Sequence, residues 1–173
     1  MSTHAAERDT AAATPDADAD SFDGFYRAHL DRIYRALALT LGNDTLAREA
    51  ADEAMARAYA RWSRVRDLDN PAAWVYRVGF NWATSWWRKV RRERPELADS
   101  REPAVAGPDA DAIAARTALE RLPIAQRAVV VCRVLLDLST ADTAAVLKVS
   151  EGTVKSRLSR GLDGLRAALT EEG

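Results

Sequence analysis

From Ser21 onward, apolar residues recur at every third or fourth position, and this spacing is the strongest constraint on the fold. The first run consists of Phe22, Phe25, His29, Ile33, Leu37 and Leu41. Such spacing puts side chains on one face of a helix. Hydrophobic residues make up 47% of the chain and only 8 of its 173 residues are glycine, which also favours helices. The pattern therefore predicts an all-α protein.

Local stop signals divide the first part of the chain into three predicted helices. Gly42 and Asn43 end the first helix, and Asp44 is a candidate cap for the second. Asn70 and Pro71 are typical of the start of a third helix, which runs to about Arg94. We expect the second helix to bury Ala47, Ala51, Met55, Ala58 and Trp62, and the third to bury Val75, Val78, Trp82 and Trp86.

Composition then predicts two small helical domains joined by a flexible linker. Residues 1–20 have no apolar period and are predicted to form a disordered acidic tail, whereas 95–109 hold three prolines and form the linker. The domains therefore span 21–94 and 110–169. Four helices are expected in the second, at about 111–122, 124–136, 140–147 and 151–169, and the last two suit a helix-turn-helix.

The final predicted helix has the pattern of a DNA recognition helix. Its apolar stripe consists of Val154, Leu158, Leu162, Leu165 and Leu169, which leaves cations and hydroxyls facing outward. Such side chains bind phosphates and base edges in the major groove. A solvated polar face on an ordinary bundle helix would show the same period, so the spacing alone leaves both interpretations open.

The third predicted helix combines aromatic residues with a basic end. Five aromatic side chains precede the run RKVRR at 88–92: Trp74, Tyr76, Trp82, Trp86 and Trp87. Single-stranded DNA is held by aromatic planes beside a basic track. Tryptophans at helical spacing are more often core residues, and we assign Trp82 and Trp86 to the core.

Other classes of function find little support in the sequence. Cys132 is the single cysteine and the two histidines are isolated, so neither a disulfide nor a metal site is expected, and no cofactor-binding motif occurs. No nucleophile or base accompanies Asp52 and Glu53, and an enzyme is not predicted. No apolar run is long enough to span a membrane and no signal-peptide pattern is present, so we expect a cytoplasmic protein.

These residues resemble extracytoplasmic-function (ECF) sigma factors of bacterial RNA polymerase. The segment LERLPIAQR at 119–127, followed by EGTVKSRLSR at 151–160, is similar to their region 4. FYRAH at 25–29, the segment 65–81 and RKVRR at 88–92 are similar to their region 2. The resemblance covers about residues 21–169 with both regions in order.

The resemblance implies a promoter-specific initiation factor that binds core RNA polymerase and promoter DNA, with an anti-sigma factor as a further partner. Polymerase contacts would come from Glu49, Asp52, Glu53 and Arg57 on the second helix. The −10 element would be read and melted by Trp74, Arg77, Asn81, Arg88, Arg91 and Arg92. The −35 element would be read by Thr153, Lys155, Ser156, Arg157, Ser159 and Arg160.

The chain departs from the family pattern at a few positions. Ala50, Ala51, Asp52 and Ala54 replace bulkier residues of the second helix, which predicts weaker clamp docking or packing. Thr143 stands at a usually apolar position, Lys148 where glycine commonly takes a left-handed turn, and Ser85 in place of an acid. Two alternatives also fit: a stand-alone helix-turn-helix regulator, which would need a dimer, and a sigma-like decoy that sequesters an anti-sigma factor.

Overall fold

The computed structural model describes residues 21–93 and 110–171. These segments are helical, as the sequence predicts, and no strand occurs in them. We number the helices in chain order: α1 Phe22–Leu41, α2 Asp44–Ala60, α3 Trp62–Val65, α4 Pro71–Glu93, α5 Ala110–Glu120, α6 Ile124–Val130, α7 Thr140–Leu147 and α8 Glu151–Glu171. The predicted tail and the predicted linker lie outside the described residues.

Helix ends follow the local signals in the sequence, with one correction. Gly42 closes α1 in the left-handed conformation, at φ 66°. Oδ1 of Asn70 accepts from Ala73 N at 2.9 Å, so Asn70 caps α4 as predicted. The cap of α2 was wrongly assigned to Asp44: Oδ1 of Asn43 accepts from Leu46 N at 2.7 Å, and Asp44 is the first helical residue.

The predicted single helix at 124–136 changes its winding halfway. After α6, residues Val131–Leu135 form a π-helical turn, with Leu136 N donating to Val131 O at 3.1 Å. Asp137 follows at φ 53°. The spacing of apolar residues in the sequence does not reveal this wider turn. A π-helical turn changes which backbone N–H and C=O groups pair, and the order of the side chains stays the same.

The first helices pack through small residues. Ala50, Ala51 and Ala54 of α2 are buried, and a Cβ added at Gly79 of α4 would lie 3.0 Å from Ala50 O. The alanines thus lie where α2 and α4 approach each other closely. The stripe predicted for α1 is confirmed at Phe25, Ile33 and Leu37.

The predicted inner face of α4 was wrong at Trp86. The buried residues of α4 are Ala73, Val75, Tyr76, Gly79 and Ala83. Trp82 is partly buried against the core, whereas Trp86 is 41% exposed. No residue from Thr84 to Glu93 is buried, because this end of α4 runs past the helices that cover its first turns.

The final helix shows a similar shift of its buried face. Val154 is fully buried as predicted, but Leu169 is 47% exposed, and the other buried positions are Gly161 and Ala168. A Cβ at Gly161 would lie 2.7 Å from Val130 Cγ2. This close contact of α8 with α6 at a glycine lies beside the predicted stripe, whose members Leu158, Leu162 and Leu165 are half-buried.

The main hydrophobic core continues across the predicted domain boundary. Residues of α1, α2 and α4 share one buried cluster with five residues of the second half: Val131, Cys132, Leu136, Leu138 and Val146. A smaller cluster of Val129, Ala144 and Val154 belongs to the second half alone. The two halves are thus packed against each other in this structure.

Candidate nucleic-acid interface

Helix α8 presents a polar, cationic face at its N-terminal end. The exposed residues of this face are Lys155, Ser156, Ser159 and Arg160. Val154, on the side of α8 that packs against α6, is buried. Cations and hydroxyls along one open helix face can contact phosphates and base edges. The structure thus leaves these four predicted residues accessible together on one element.

The two other residues predicted for this face are less open. Thr153 is half-buried, and its backbone N and its Oγ1 lie 3.1 and 2.9 Å from Ser150 Oγ. Ser150 is therefore the N-cap, and the Thr153 hydroxyl is engaged at the helix end. Arg157 is half-buried beside the exposed face.

A tight turn fixes how α8 follows α7. Lys148 takes the left-handed conformation at φ 54°, and Val149 N donates to Ala144 O at 3.0 Å. This hydrogen bond joins the first and sixth residues of the turn, which is the pattern of a Schellman motif at a helix end. Together with Ser139, whose Oγ accepts from Asp142 N at 2.9 Å, it makes α7 and α8 a helix-turn-helix.

Thr143 lies inside this unit, and its environment explains why an apolar residue is usual there. The residue is fully buried, and its Oγ1 has no hydrogen-bond partner within the described part of the chain. A buried hydroxyl without a partner is destabilising by roughly 1 to 3 kcal/mol. An apolar side chain at this position would avoid that cost.

Helix α4 carries the second predicted DNA face. Asn81 is exposed, whereas Trp74 and Arg77 are half-buried and Trp74 packs against the main core. Part of the Trp74 ring is thus already used in packing.

The projecting end of α4 is strongly basic. Arg88, Arg91 and Arg92 are exposed, and the guanidinium of Arg91 lies 5.1 Å from the Trp87 ring centroid. Arg88 is held along the helix by bonds of 3.3 Å to Thr84 O and 3.4 Å to Ser85 Oγ. Sequence reasoning missed the exposed Trp86 beside these cations, because its spacing matches that of a core residue.

The residues predicted for polymerase contact line α2 on its outer side. Glu49, Asp52 and Arg57 are exposed, and Glu53 Oε1 accepts from Arg57 Nε at 2.8 Å. Sequence analysis did not foresee that Asp52 also lines a shallow pocket of about 260 Å³ between α1 and α2. In that pocket the Arg48 guanidinium lies 4.6 Å from the centroid of the Tyr34 ring.

Other chemistry finds no support in residues 21–93 and 110–171. No group of three metal-ligating side chains occurs in these segments. None of their helices is long and apolar enough to cross a membrane. Burial raises the pKa of the Cys132 thiol to about 12, so this cysteine is not an activated nucleophile.

Two helical units, one of them a helix-turn-helix with an open cationic face, define an all-α DNA-binding protein. The family model for sigma-70 region 4 matches residues 112–163. The RNA polymerase sigma-E factor of Streptomyces coelicolor is 34% identical over 151 residues, which cover 86% of this chain and 85% of that protein. The ECF RNA polymerase sigma factor SigM of Mycobacterium tuberculosis is 34% identical over 83% of this chain and 74% of its own length. The chain belongs to the ECF RNA polymerase sigma factors.

Solved structures show the same fold. The sigma factor RpoE from Bartonella quintana, crystallised with the anti-sigma factor NepR, matches with a TM-score of 0.78 and 23% identity over 86% of this chain and 96% of that one. CnrH in complex with the cytosolic domain of CnrY matches with a TM-score of 0.59 and 22% identity over 88% and 89% of the two chains.

Proposed function

We propose that this protein binds core RNA polymerase and directs it to promoters through two separate DNA-reading surfaces. The observation that carries the proposal is the open cationic face of α8 on a helix-turn-helix, in a chain that also exposes a basic end on α4. Catalysis of RNA synthesis belongs to the polymerase, so this chain acts by binding alone and works in the cytoplasm.

The two DNA surfaces have different tasks in this proposal. Lys155, Ser156, Ser159 and Arg160 enter the major groove of the −35 element, with Thr153 and Arg157 at the edge of the contact. Asn81 reads a base of the −10 element, supported by Arg77 and by the accessible side of Trp74. The exposed cations Arg88, Arg91 and Arg92 bind the phosphates beside it.

Helix α2 is the surface proposed for the polymerase. Its outer side offers charges of both signs, from Glu49, Asp52, Glu53 and Arg57, and Asp52 also lines the pocket between α1 and α2. Such a surface suits a partner with complementary charges. An anti-sigma factor is the second protein partner we propose, since RpoE from Bartonella quintana was crystallised with the anti-sigma factor NepR.

A titration of the labelled full-length chain with bacterial core RNA polymerase tests the proposal. We expect saturable binding in fluorescence anisotropy at physiological salt, reversed by an unlabelled sigma factor. A chain that is helical by circular dichroism and still shows no binding at about 1 μM polymerase would refute it. Glu53→Lys combined with Asp52→Lys should weaken binding, and Asp163→Lys on α8 is the matched control.

A further inference from the structure

A cluster of aromatic rings in the first half of the molecule belongs to neither of the two DNA surfaces described above. It joins three elements, with Phe22 and Tyr26 on α1, Tyr59 on α2 and Trp62 on α3. The Phe22 ring lies at its centre, because its centroid is 5.9 Å from that of Tyr26, 5.1 Å from that of Tyr59 and 5.5 Å from that of Trp62. We call these four residues the aromatic patch.

Packing within the protein accounts for only part of the aromatic patch. Phe22 and Trp62 are half-buried and pack against the main core. Tyr59, in contrast, is 68% exposed, and Tyr26 is exposed as well. The rings of Tyr59 and Phe22 meet edge-on, at an interplanar angle of 61°. Most of the Tyr59 ring is therefore accessible to a ligand, while its contact with a core-packed ring restrains its position.

The chain around the exposed rings is basic. Residues 57–66 contain four arginines and no acidic residue. Arg61 and Arg64 are exposed, and neither forms an ion pair within the described part of the chain. The segments 22–27 and 57–69 together carry five arginines and three aspartates, so the surface as a whole is positive. Its charge is complementary to that of a polyanion.

Exposed rings beside unpaired cations are the combination that binds a single nucleic-acid strand. Bases stack on the aromatic planes, and cations contact the phosphates between them. A duplex offers the same phosphates, but its base faces are covered by neighbouring base pairs and cannot stack on a side chain. The aromatic patch is therefore suited to unpaired bases.

The aromatic patch also lies close along the chain to the surface proposed for the −10 element. Arg66 precedes Asn70, the cap of α4, by four residues, which span at most about 14 Å. Trp74 lies one helical turn further, about 6 Å along α4. A strand in contact with Trp74 thus reaches this segment within roughly six nucleotides, at 3.4 Å per base.

We propose that the aromatic patch binds the unpaired bases next to the −10 element in melted promoter DNA. Tyr59 is the stacking platform, and Arg61 and Arg64 contact the phosphates. The inference rests on the proposed function and adds a third DNA surface to it. Stacking tolerates any base, so this surface holds the melted strand open without taking part in the choice of promoter.

Binding of a thymidine oligomer to the full-length chain tests the stacking role of Tyr59. The probe is a fluorescein-labelled strand of about 16 nucleotides, followed by anisotropy at about 50 mM salt without polymerase. Tyr59→Ala should weaken binding about ten-fold, whereas Tyr59→Phe keeps the ring and should bind like the parent chain. Val134→Ala is the matched control, because Val134 is 67% exposed in the other half. Equal affinity of Tyr59→Ala and the parent chain, or no binding by the parent chain, would overturn the proposal.

The salt dependence of the same binding tests the two arginines. Arg61→Ala combined with Arg64→Ala should reduce the log-log slope by about 1.4, which corresponds to two phosphate contacts on a single strand. Arg121→Ala combined with Arg166→Ala is the control, because both of these cations are paired with acids of α8, and the slope should stay the same. A slope that is equally steep after loss of Arg61 and Arg64 would contradict the proposal.

Photocrosslinking shows where on the protein the strand lies. A thymidine oligomer that carries thiothymidine is irradiated with the parent chain, and the crosslinked peptides are identified by mass spectrometry. We expect the peptides that contain Tyr59 or Trp62. Crosslinks confined to α4 and α8 would mean that the strand binds only at the other two DNA surfaces, and the proposal would fail.

These outcomes are distinguishable from those of the proposed function, which is tested with core polymerase. A chain that binds the oligomer through Tyr59 but does not bind polymerase keeps the aromatic patch and loses the proposed function. A chain that binds polymerase but crosslinks only on α4 and α8 keeps the function and loses the patch. If Tyr59→Ala weakens polymerase binding and leaves oligomer binding unchanged, the patch is a protein contact and the proposal is wrong.

Discussion

The hydroxyl of Tyr76 lies 2.8 Å from Thr40 Oγ1, and Thr40 Oγ1 donates in turn to Ala36 O at 2.7 Å. Since the threonine proton is used on Ala36, the tyrosine donates to the threonine. Both side chains are fully buried, so this short chain of bonds joins α4 to α1 inside the core.

Removal of the Tyr76 hydroxyl should destabilise the protein modestly. In Tyr76→Phe the ring still fills its site, and the lost hydrogen bond should lower the free energy of unfolding by about 1 kcal/mol. Urea denaturation followed by circular dichroism measures this difference. Tyr59→Phe is the matched control, because Tyr59 is 68% exposed, and it should show almost no change.

Alkaline pH should destabilise the protein because Cys132 is buried. Burial raises the pKa of this thiol to about 12, from a usual value of 9.0. The thiol ionises more easily in the unfolded chain than in the folded one. The free energy of unfolding is therefore unaffected below pH 9 and falls as the pH rises toward 12. Burial likewise raises the pKa of Tyr76, which adds a loss of the same sign above pH 10.

The expected slope from Cys132 alone is about 1.4 kcal/mol per pH unit between pH 9 and 12. Urea denaturation of the parent chain and Cys132→Ala at pH 8, 9, 10 and 11 would measure it. A stability difference between the two proteins that stays constant over this range would contradict the assignment.

Replacement of Thr143 by valine should stabilise the helix-turn-helix. Valine has the same shape and removes a buried hydroxyl that has no partner within the described residues, so we expect a gain of about 1 kcal/mol. Thermal unfolding would show a higher midpoint. Thr143→Ser keeps the hydroxyl and loses the methyl group, and should lower the midpoint instead.

Glycine at position 148 should relieve backbone strain. Lys148 is held at φ 54°, a region in which a residue with Cβ is disfavoured by about 1 kcal/mol. Lys148→Gly should therefore raise the free energy of unfolding by up to this amount, and Lys148→Val should lower it. Equal stability of the two variants in urea would show that the turn relaxes into another conformation.

Two cations of α8 should control use of the −35 element. Lys155→Ala combined with Arg160→Ala should weaken promoter binding by the polymerase complex and reduce its dependence on salt, by a log-log slope of about 2. Polymerase affinity should be unchanged. Arg166→Ala is the control on the same helix, because Arg166 pairs with Asp163 at 2.8 Å, beyond the proposed groove contact.

Helix ends and the helix-turn-helix follow from the sequence because their causes are local. The caps at Asn70 and Ser150 and the turn at Lys148 depend on side chains and backbone groups within three to five residues. The open face of α8 also follows from spacing, since Val154 and Lys155 necessarily point in different directions along one helix.

Only the tertiary structure decides which parts of these helices are covered. The spacing of apolar residues does not show that α4 projects past its neighbours after Ala83. It therefore predicted, wrongly, that Trp86 lies in the core. Nor could it show that Gly79 and Gly161 serve as the points of closest helix contact. Burial depends on where neighbouring helices end, which is set by residues far away in the chain.

The sequence by itself determined an all-α chain, a helix-turn-helix and membership of the sigma factors, because periods, caps and motifs are local properties. The closed contact of the two halves was decided by the tertiary structure alone. Arg32 and Leu135 are 103 positions apart, and no local pattern marks an arginine as the partner of a distant carbonyl. Which carbonyl an arginine meets depends on where both halves lie in space, so such partners are fixed by geometry and not by spacing along the chain.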